Sequence, residues 1–237
     1  MPDEPLLSVE GLRGGYGAET VLQGVDMQIA PGEIVAVIGR NGVGKSTLMR
    51  TLTGLLRPSA GTIRFAGRDV TADPADKRAR AGIGYIPQGR DVFPELTVRE
   101  NLLVGEVAGQ GRAAPDYEQV YRFFPILKER ARQRAGTLSG GQQQQLAIGR
   151  AMIGAPRLML LDEPSEGIQP SIIKDIARNV RTLNEQTGLA VLLVEQNLDL
   201  IVSIASRGYV MEKGRLVASL GAEEISSRDE VRHHLTI

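Results

Sequence analysis

Short apolar runs bounded by glycine and proline recur along the chain and predict β-strands. The first two runs alternate, with the turn between them predicted at Gly14–Gly15 and Gly17, whereas Leu158–Leu161 is continuously apolar, as in a buried strand. Lys213–Gly214 predicts a hairpin turn between the last two runs. The predicted strands are Leu6–Leu12, Thr20–Ile29, Glu33–Ile38, Thr62–Phe65, Gly67–Val70, Gly84–Pro87, Leu158–Leu161, Ala190–Val194, Tyr209–Glu212 and Arg215–Ser219.

The pattern changes between residues 97 and 153, where no Val/Ile-rich run occurs and the spacing predicts helices. We expect breaks in this helical region at Gly109–Pro115, Pro125 and Arg134–Gly141. Further helices are predicted at Lys45–Leu55 and from about residue 171 to 186. Strands therefore flank a helical insert, which predicts an α/β domain with antiparallel strands at its start.

The composition is that of a folded domain of 237 residues, 42% hydrophobic and 24% charged. Basic and acidic residues number 28 each, and this zero net charge argues against a general nucleic-acid binder. Because cysteine is absent, disulfides, thiolate metal sites and a cysteine nucleophile are excluded. No apolar run reaches the roughly 18–20 residues that cross a bilayer, and Met1–Pro5 lacks the basic start of a signal peptide. We therefore expect a chain that neither spans a membrane nor is exported.

A glycine-rich segment follows the strand at Glu33–Ile38 and precedes a predicted helix, and it fits the pattern G-x-x-x-x-G-K-[ST]. Its residues are Gly39, Arg40, Asn41, Gly42, Val43, Gly44, Lys45 and Ser46. Glycines let the backbone wrap a polyphosphate with its N–H groups pointing inward, and the helix N-terminus favours negative charge. Lys45 would reach the β- and γ-phosphates, and the Ser46 hydroxyl would ligate Mg²⁺.

Two acids, Asp162 and Glu163, end the apolar strand that begins at Leu158. Open α/β sheets bind ligands at the C-terminal ends of their strands, so both carboxylates are expected beside the phosphate loop. We expect Asp162 to hold Mg²⁺, directly or through water, and Glu163 to polarise the attacking water as a general base.

A third motif opens the helix that precedes this strand, with Ser139 well placed as its N-cap. Its residues are Leu138, Ser139, Gly140, Gly141 and Gln142. Together with the phosphate loop and the LLDEP strand, it resembles the signature of the ATP-binding cassette (ABC) superfamily over nearly the whole chain. The resemblance implies a head-to-tail dimer, in which the signature of one subunit closes over the γ-phosphate held by the other.

The resemblance also implies a fold and a ligand. The fold is a phosphate-loop NTPase core of the RecA-like type with an N-terminal antiparallel β subdomain and an inserted helical subdomain. Residues 1–88 and 156–237 would form the first two parts, and residues 89–155 the helical signature subdomain. The expected ligands are ATP and Mg²⁺. The residues expected to bind ATP are Tyr16, Gly39, Arg40, Asn41, Gly42, Val43, Gly44, Lys45, Ser46 and Thr47.

Three further positions match the family pattern. Tyr16 resembles the aromatic residue that stacks on adenine. Gln88 resembles the glutamine that contacts Mg²⁺ and the attacking water, and it starts the helical lobe, so it can report nucleotide state to a partner. Ser165–Pro170 occupies the place of the family's dimer-contact loop, although the sequence motif usual for that loop is absent.

One position departs from the family. The family usually has a histidine that contacts the γ-phosphate after the strand equivalent to residues 191–194, whereas this chain has Gln196 in the text Val194-Glu195-Gln196-Asn197. Glutamine donates a hydrogen bond but cannot carry charge. We therefore expect this site to depend more heavily on Glu163 and on the opposite signature, or to be the weaker of two unequal sites.

The sequence at Gln196 and around Asp91–Phe93 resembles that of the second ATPase subunit of branched-chain amino-acid and urea importers. Residues 166–173 are closer to the urea type. This resemblance implies a second ATPase subunit, two membrane permeases, an extracytoplasmic solute-binding protein and a place on the cytoplasmic face of the membrane. We expect a permease helix in the groove beside Gln88, with Phe93 as its anchor; the alternative is that Phe93 packs within its own domain.

Two other classes share the ATP motifs. Chromosome and repair ATPases insert a long coiled coil before the signature, which the short, heptad-free stretch from Lys45 to Ser139 cannot supply. A soluble assembly module, such as one serving iron–sulfur scaffolds, stays open, since only its partner surface would differ. The basic stretches at Asp73–Arg78 and Arg130–Arg134 and the pair His233–His234 are expected to be solvated surface.

Overall fold

The computed structural model describes residues 4–109, 112–229 and 231–232, so His233 and His234 lie outside the described residues. Its strands are β1 (Leu7–Tyr16), β2 (Glu19–Ile29), β3 (Ile34–Ile38), β4 (Ala60–Phe65), β5 (Arg68–Asp69), β6 (Ile83–Ile86), β7 (Leu158–Asp162), β8 (Ala190–Glu195), β9 (Arg207–Glu212) and β10 (Arg215–Leu220). Its α-helices are α1 (Lys45–Thr53), α2 (Ala75–Ala81), α3 (Val98–Gly109), α4 (Tyr117–Phe123), α5 (Pro125–Glu129), α6 (Gly140–Ile153), α7 (Pro170–Thr187), α8 (Leu198–Ile204) and α9 (Ala222–Ser226), with a 3₁₀ turn at Ala135–Thr137.

The strands form two sheets in the part of the chain that the structure describes. The order β2-β1-β4-β5 makes an antiparallel sheet from the N-terminal strands. The order β10-β9-β3-β8-β7-β6 makes the second sheet, which is parallel from β9 to β6 and has β10 antiparallel at its edge. The predicted α/β class with antiparallel strands at the start is therefore confirmed, as is the hairpin between β9 and β10.

The central strands of the parallel sheet are apolar on both faces because each face covers a different core. Ile34, Ala36 and Ile38 of β3 pack into the core on the side of α6 and α7. Val35 and Val37 point to the other face, into the core shared with the antiparallel sheet and α1. This double burial explains the unbroken apolar runs in β3, β7 and β8. Because the three strands are parallel, their C-terminal ends lie along one edge of the sheet.

The stretch from residue 97 to 153 is helical, as its pattern predicts, and it contributes α3, α4, α5 and α6. Pro125 stands at the start of α5, where its missing N–H costs nothing, so the predicted break is a helix boundary. Helix α3 ends at Gly109 and α4 begins at Tyr117, which agrees with the break predicted at Gly109–Pro115. The subdomain boundaries at residues 88 and 155 stay a prediction. No helix of the described ranges is long and apolar enough to cross a membrane.

Two local expectations are wrong. Gly14 and Gly15 belong to strand β1, and a side chain on Gly15 would lie 1.8 Å from the Glu19 carbonyl oxygen, so the glycine serves close strand pairing. The chain turns at Gly17, the other residue of the predicted turn, between β1 and β2.

The other wrong expectation concerns Arg78, which lies on helix α2 and is 1% exposed rather than solvated. Its guanidinium donates to the carbonyl oxygens of four residues, at 2.8–2.9 Å, and these residues are Thr51, Leu52, Thr71 and Asp73. Two of those carbonyls end helix α1. Arg78 therefore joins helix α2 to the C-terminal end of the helix that follows the phosphate loop.

Candidate functional site

The loop between β3 and α1 needs its glycines for backbone reasons. Gly42 and Gly44 have φ of 80° and 113°, in the region that favours glycine. A side chain on Gly39 would lie 2.5 Å from the Met211 carbonyl oxygen. Helix α1 begins directly after the loop, and its first turn carries no acidic residue that would offset the positive end of the helix dipole. This arrangement is an anion site of the kind that binds phosphates.

Lys45 lies inside this loop, only 4% exposed. Its Nζ donates to the carbonyl oxygens of Gly39 at 2.8 Å and Arg40 at 2.9 Å. The same Nζ lies 3.1 Å from Glu163 Oε1. The cation of the loop and the acid after β7 therefore meet, because both follow the C-terminal ends of parallel strands, β3 and β7, that lie on either side of β8.

The Ser46 hydroxyl donates to Asp162 Oδ1 at 3.2 Å, and the Tyr85 hydroxyl donates to Asp162 Oδ2 at 3.2 Å. Burial raises the pKa of Asp162, although the hydrogen bonds from Ser46 and Tyr85 partly offset it. Burial, with the nearby charge of Asp162, also raises the pKa of Tyr85 far above its usual value, so this phenol stays protonated and donates. Tyr85 had no role predicted from the sequence, although it lies in the strand predicted at Gly84–Pro87.

Gln196 bridges two parts of the site. Its Nε2 donates to Asn41 Oδ1 at 2.6 Å and to Glu163 Oε1 at 3.2 Å. The Glu163 backbone has φ of 46°, which is uncommon for a residue with a side chain, and its N–H donates to the Val194 carbonyl at 2.9 Å. Strained backbone of this kind clusters at functional sites, where neighbouring structure holds it in place.

Gln88 is exposed, and its Nε2 donates to Glu166 Oε2 at 2.8 Å. It thus contacts the segment after Glu163 rather than the Ser46–Asp162 pair, and its predicted contact with Mg²⁺ stays a prediction. Arg90 Nη2 donates to the Glu166 carbonyl at 2.8 Å, so the same segment is held from two positions on the chain after β6.

The signature residues begin helix α6. Ser139 is the N-cap, as predicted, and it forms a capping box with Gln142: the Gln142 N–H donates to Ser139 Oγ, and the Ser139 N–H donates to Gln142 Oε1. Leu138 is buried, and a side chain on Gly141 would lie 2.6 Å from Ile172 Cγ2. Packing against α7 thus requires that glycine. The contact of this motif with a second subunit stays a prediction.

The remaining predicted ATP contacts lie around the phosphate loop. Tyr16 ends strand β1 and is 46% exposed, and its hydroxyl is hydrogen-bonded to Arg50 of α1, which raises the Arg50 pKa. Val43 is half-buried and Thr47 is buried. Stacking of adenine on Tyr16 stays a prediction.

This geometry defines the class of protein. A strand, a glycine-rich loop with a lysine, and a helix form a phosphate site, and a second strand brings an aspartate and a glutamate to it; together they make a phosphate-loop NTPase. The family model described as ABC transporter matches residues 22–166. The chain belongs to the ABC transporter family, and it is an ABC-type ATPase.

Relatives and solved structures agree with this assignment. The chain is 44% identical to the high-affinity branched-chain amino acid transport ATP-binding protein BraG of Pseudomonas aeruginosa, over 90% of this chain and 91% of that protein. It is 34% identical to the lipopolysaccharide export system ATP-binding protein LptB of Acidithiobacillus ferridurans, over 96% and 95%. A nucleotide-free ATP-binding cassette from an ABC transporter superposes with a TM-score of 0.84 at 28% identity, over 99% of this chain and 96% of that one.

Proposed function

We propose that this chain is one of two ATPase subunits of an importer for branched-chain amino acids. The similarity to BraG, which extends over nine-tenths of both chains, carries the proposal. The related protein BraF, from the same organism and with the same transport description, is 33% identical over 96% of both chains. BraG and BraF are two different ATP-binding proteins that share one transport description in the same organism, which supports a heterodimer of ATPase subunits. In that heterodimer, this chain would take the place of BraG.

The site residues have distinct roles in this proposal. The loop N–H groups and Lys45 hold the phosphates of ATP, and the exposed ring of Tyr16 stacks on adenine. Glu163 accepts a proton from the attacking water as the bond to the γ-phosphate breaks. Gln196, which contacts Glu163, donates to the negative charge that spreads over the transferred group. The signature at Ser139 closes over the γ-phosphate of the second subunit.

Ser46 and Asp162 fit a Mg²⁺ ion, since hydroxyl and carboxylate oxygens suit this ion and it takes other ligands from phosphate and water. Asp162 also lies buried, where a cation would offset the cost of its charge. We propose that these two residues hold the ion with Gln88. When bound, it would supply charge neutralisation at the phosphate oxygens. Among the described residues, no group of three or more carboxylates or histidines offers a separate metal site.

We propose that a groove of about 290 Å³ receives a short helix from one permease. It lies between the helices after β6 and the end of α1, and residues such as Leu55, Val104 and Arg150 line it. Leu55 is exposed, and Phe93, beside the groove, is 45% exposed with the Arg150 guanidinium 5.2 Å from its ring centre. Exposed apolar side chains beside a groove are typical of docking surfaces. The ATPase would thus lie on the cytoplasmic face of the membrane, and the solute-binding protein would reach it only through the permeases.

Urea is the second candidate solute, because the sequence of residues 166–173 resembles that of the ATPase subunits of urea importers. Uptake of labelled leucine and urea by cells that lack this gene, complemented with the wild-type chain or with Lys45→Ala, tests both. We expect leucine uptake to be lost and to return only with the wild-type chain. Loss of urea uptake instead would support the second candidate, and loss of neither would contradict both.

A further inference from the structure

Glu195 is the last residue of strand β8 and is only 2% exposed. It pairs in register with Ile38, the residue that precedes the phosphate loop, so it lies on the functional edge of the parallel sheet. The family resemblance assigned a role to Gln196 but none to this neighbouring carboxylate. A buried charge is costly unless other groups satisfy it, so its partners are informative.

Three backbone N–H groups satisfy the Glu195 carboxylate, and they come from two separate loops. Ser165, in the segment after Glu163, donates to Oε1 at 3.0 Å. Gln196 and Asn197 donate to Oε2 at 2.7 Å and 2.8 Å. One side chain therefore ties the segment 165–170 to the loop that carries Gln196.

The chemistry of these contacts requires a carboxylate. An ionised carboxylate only accepts hydrogen bonds, and it does so at both oxygens, which matches three donors on two sides. A glutamine of the same size would place an NH₂ group against at least one of those N–H groups. Hydrogen bonds to a charged acceptor are also about twice as strong as neutral ones. The carboxylate is thus suited to fixing the relative position of the two loops.

Each loop leads to the reacting centre or towards the partner. The Gln196 side chain contacts Glu163 and Asn41, so the position of its backbone sets where its amide lies. Glu166, next to Ser165, accepts from Gln88, and this segment is the proposed contact with the second ATPase subunit. A shift of either loop therefore changes the hydrogen bonds that Glu195 makes with the other.

We infer that Glu195 is a positioning residue for hydrolysis: it couples the proposed dimer-contact segment 165–170 to the loop that places Gln196 against Glu163. The inference rests on the proposed roles of Glu163 and Gln196, and it is independent of the solute. Glu195 acts on ATP only through these loops, so its loss lowers the rate of hydrolysis without removing a group that binds nucleotide.

The test is a double-mutant cycle on the full chain, with steady-state ATP hydrolysis and ATP affinity as readouts. We expect Glu195→Gln to lower kcat about tenfold to a hundredfold, as misplacement of a reacting group does, with KM for ATP within about threefold of wild type. The matched control is Glu212→Gln, an exposed glutamate at the end of β9 in the same sheet, which should leave kcat unchanged.

The decisive arm uses Gln196→Ala, alone and combined with Glu195→Gln. If Glu195 acts through Gln196, the double variant is about as slow as the slower single variant, because the second change has nothing left to misplace. A purely structural role predicts that the two fold-losses multiply, and that result would overturn the inference, as would a kcat for Glu195→Gln within threefold of wild type. If Gln196→Ala leaves kcat unchanged, the proposed role of Gln196 is wrong and the coupling through it falls too.

If Glu195→Gln does not fold, Glu195→Asp takes its place in the experiment. This variant keeps the negative charge, but its side chain is one carbon shorter, so the carboxylate lies farther from the three N–H donors. The same cycle with Gln196→Ala applies, with the same expected non-additivity and the same contrary result. Thermal unfolding of every variant checks that the comparison is made between folded proteins.

Discussion

Replacing Arg78 by methionine removes a buried cation and keeps most of the apolar stem that packs between helices α1 and α2. The guanidinium makes four hydrogen bonds to backbone carbonyls, and two of these, at Thr51 and Leu52, belong to the last turn of α1. The Thr51 carbonyl still accepts from the Gly54 N–H at 3.2 Å, but the substitution leaves the other three carbonyls without the donor that Arg78 supplies, in a place that water reaches poorly. We expect a large loss of stability, centred on the helix that carries Lys45.

The size of the loss follows from two opposed terms. A hydrogen bond from a charged donor contributes about 1.5–3 kcal/mol, so four of them set an upper range of about 6–12 kcal/mol. Burial lowers the pKa of Arg78, which shows that desolvation of the cation offsets part of that gain. A buried carbonyl left without a donor costs about 1–3 kcal/mol, and the relieved desolvation of the cation offsets part of the sum, so we expect Arg78→Met to cost about 3–5 kcal/mol. Small domains have only about 5–15 kcal/mol in total.

Urea-induced unfolding, followed by circular dichroism, measures the free energy of unfolding. The control is Arg80→Met, which makes the same chemical change at an exposed position of the same helix and should cost less than about 0.5 kcal/mol. If Arg78→Met costs less than about 1 kcal/mol, the four hydrogen bonds do not stabilise the end of α1, and this reasoning is refuted.

Three further substitutions test the site. Lys45→Ala removes the cation of the phosphate loop, and we expect a loss of ATP affinity of about a hundredfold or more by calorimetry; unchanged affinity would contradict the phosphate-loop assignment. Gln196→His should raise hydrolysis by the isolated chain severalfold, since a donor to developing charge is worth about 10²–10³ and glutamine already supplies part of it; no gain would mean that this position is unimportant. Phe93→Ala should reduce co-purification with the permeases, and intact assembly with coupled transport would rule out the anchor.

Much of the fold and site follows from the sequence because the phosphate loop imposes its own context. Buried strands read as unbroken apolar runs, and the glycine spacing with Lys45 fixes where the strand ends and the helix begins. The ends of parallel strands share one edge of the sheet, so the meeting of Lys45, Asp162 and Glu163 was predictable. That conclusion does not depend on which residues of neighbouring strands pair with each other.

The residues that the sequence analysis missed are polar groups whose partners are distant in the chain. Arg78 stands in a polar stretch that reads as solvated, and its burial depends on carbonyls of α1 about 26 residues earlier. Glu195 reads as an acid at a strand end, although Ser165 donates to it from 30 residues away. Helix α8 was missed for another reason: its seven residues are too few to show a helical period.

The ion pair between Lys45 and Glu163 makes one more property of the site predictable. Glu163 Oε1 lies 3.1 Å from Lys45 Nζ, so its negative charge competes with the phosphates for the same cation. Two like charges about 4 Å apart repel by about 4 kcal/mol at the effective dielectric of partly buried sites, and Mg²⁺ and solvent reduce this further. Glu163→Gln removes that repulsion but keeps the size of the side chain, and it also removes the proposed general base.

We therefore expect Glu163→Gln to bind ATP about tenfold more tightly than wild type while its hydrolysis falls by at least about a hundredfold. Calorimetry with Mg·ATP and a phosphate-release assay measure the two effects separately. The matched control is Glu166→Gln, which changes an exposed carboxylate on the same segment that contacts Gln88 and should leave ATP affinity unchanged. Weaker binding by Glu163→Gln would mean that the ion pair holds Lys45 in its binding position, so that the acid assists the phosphate loop rather than competing with its ligand.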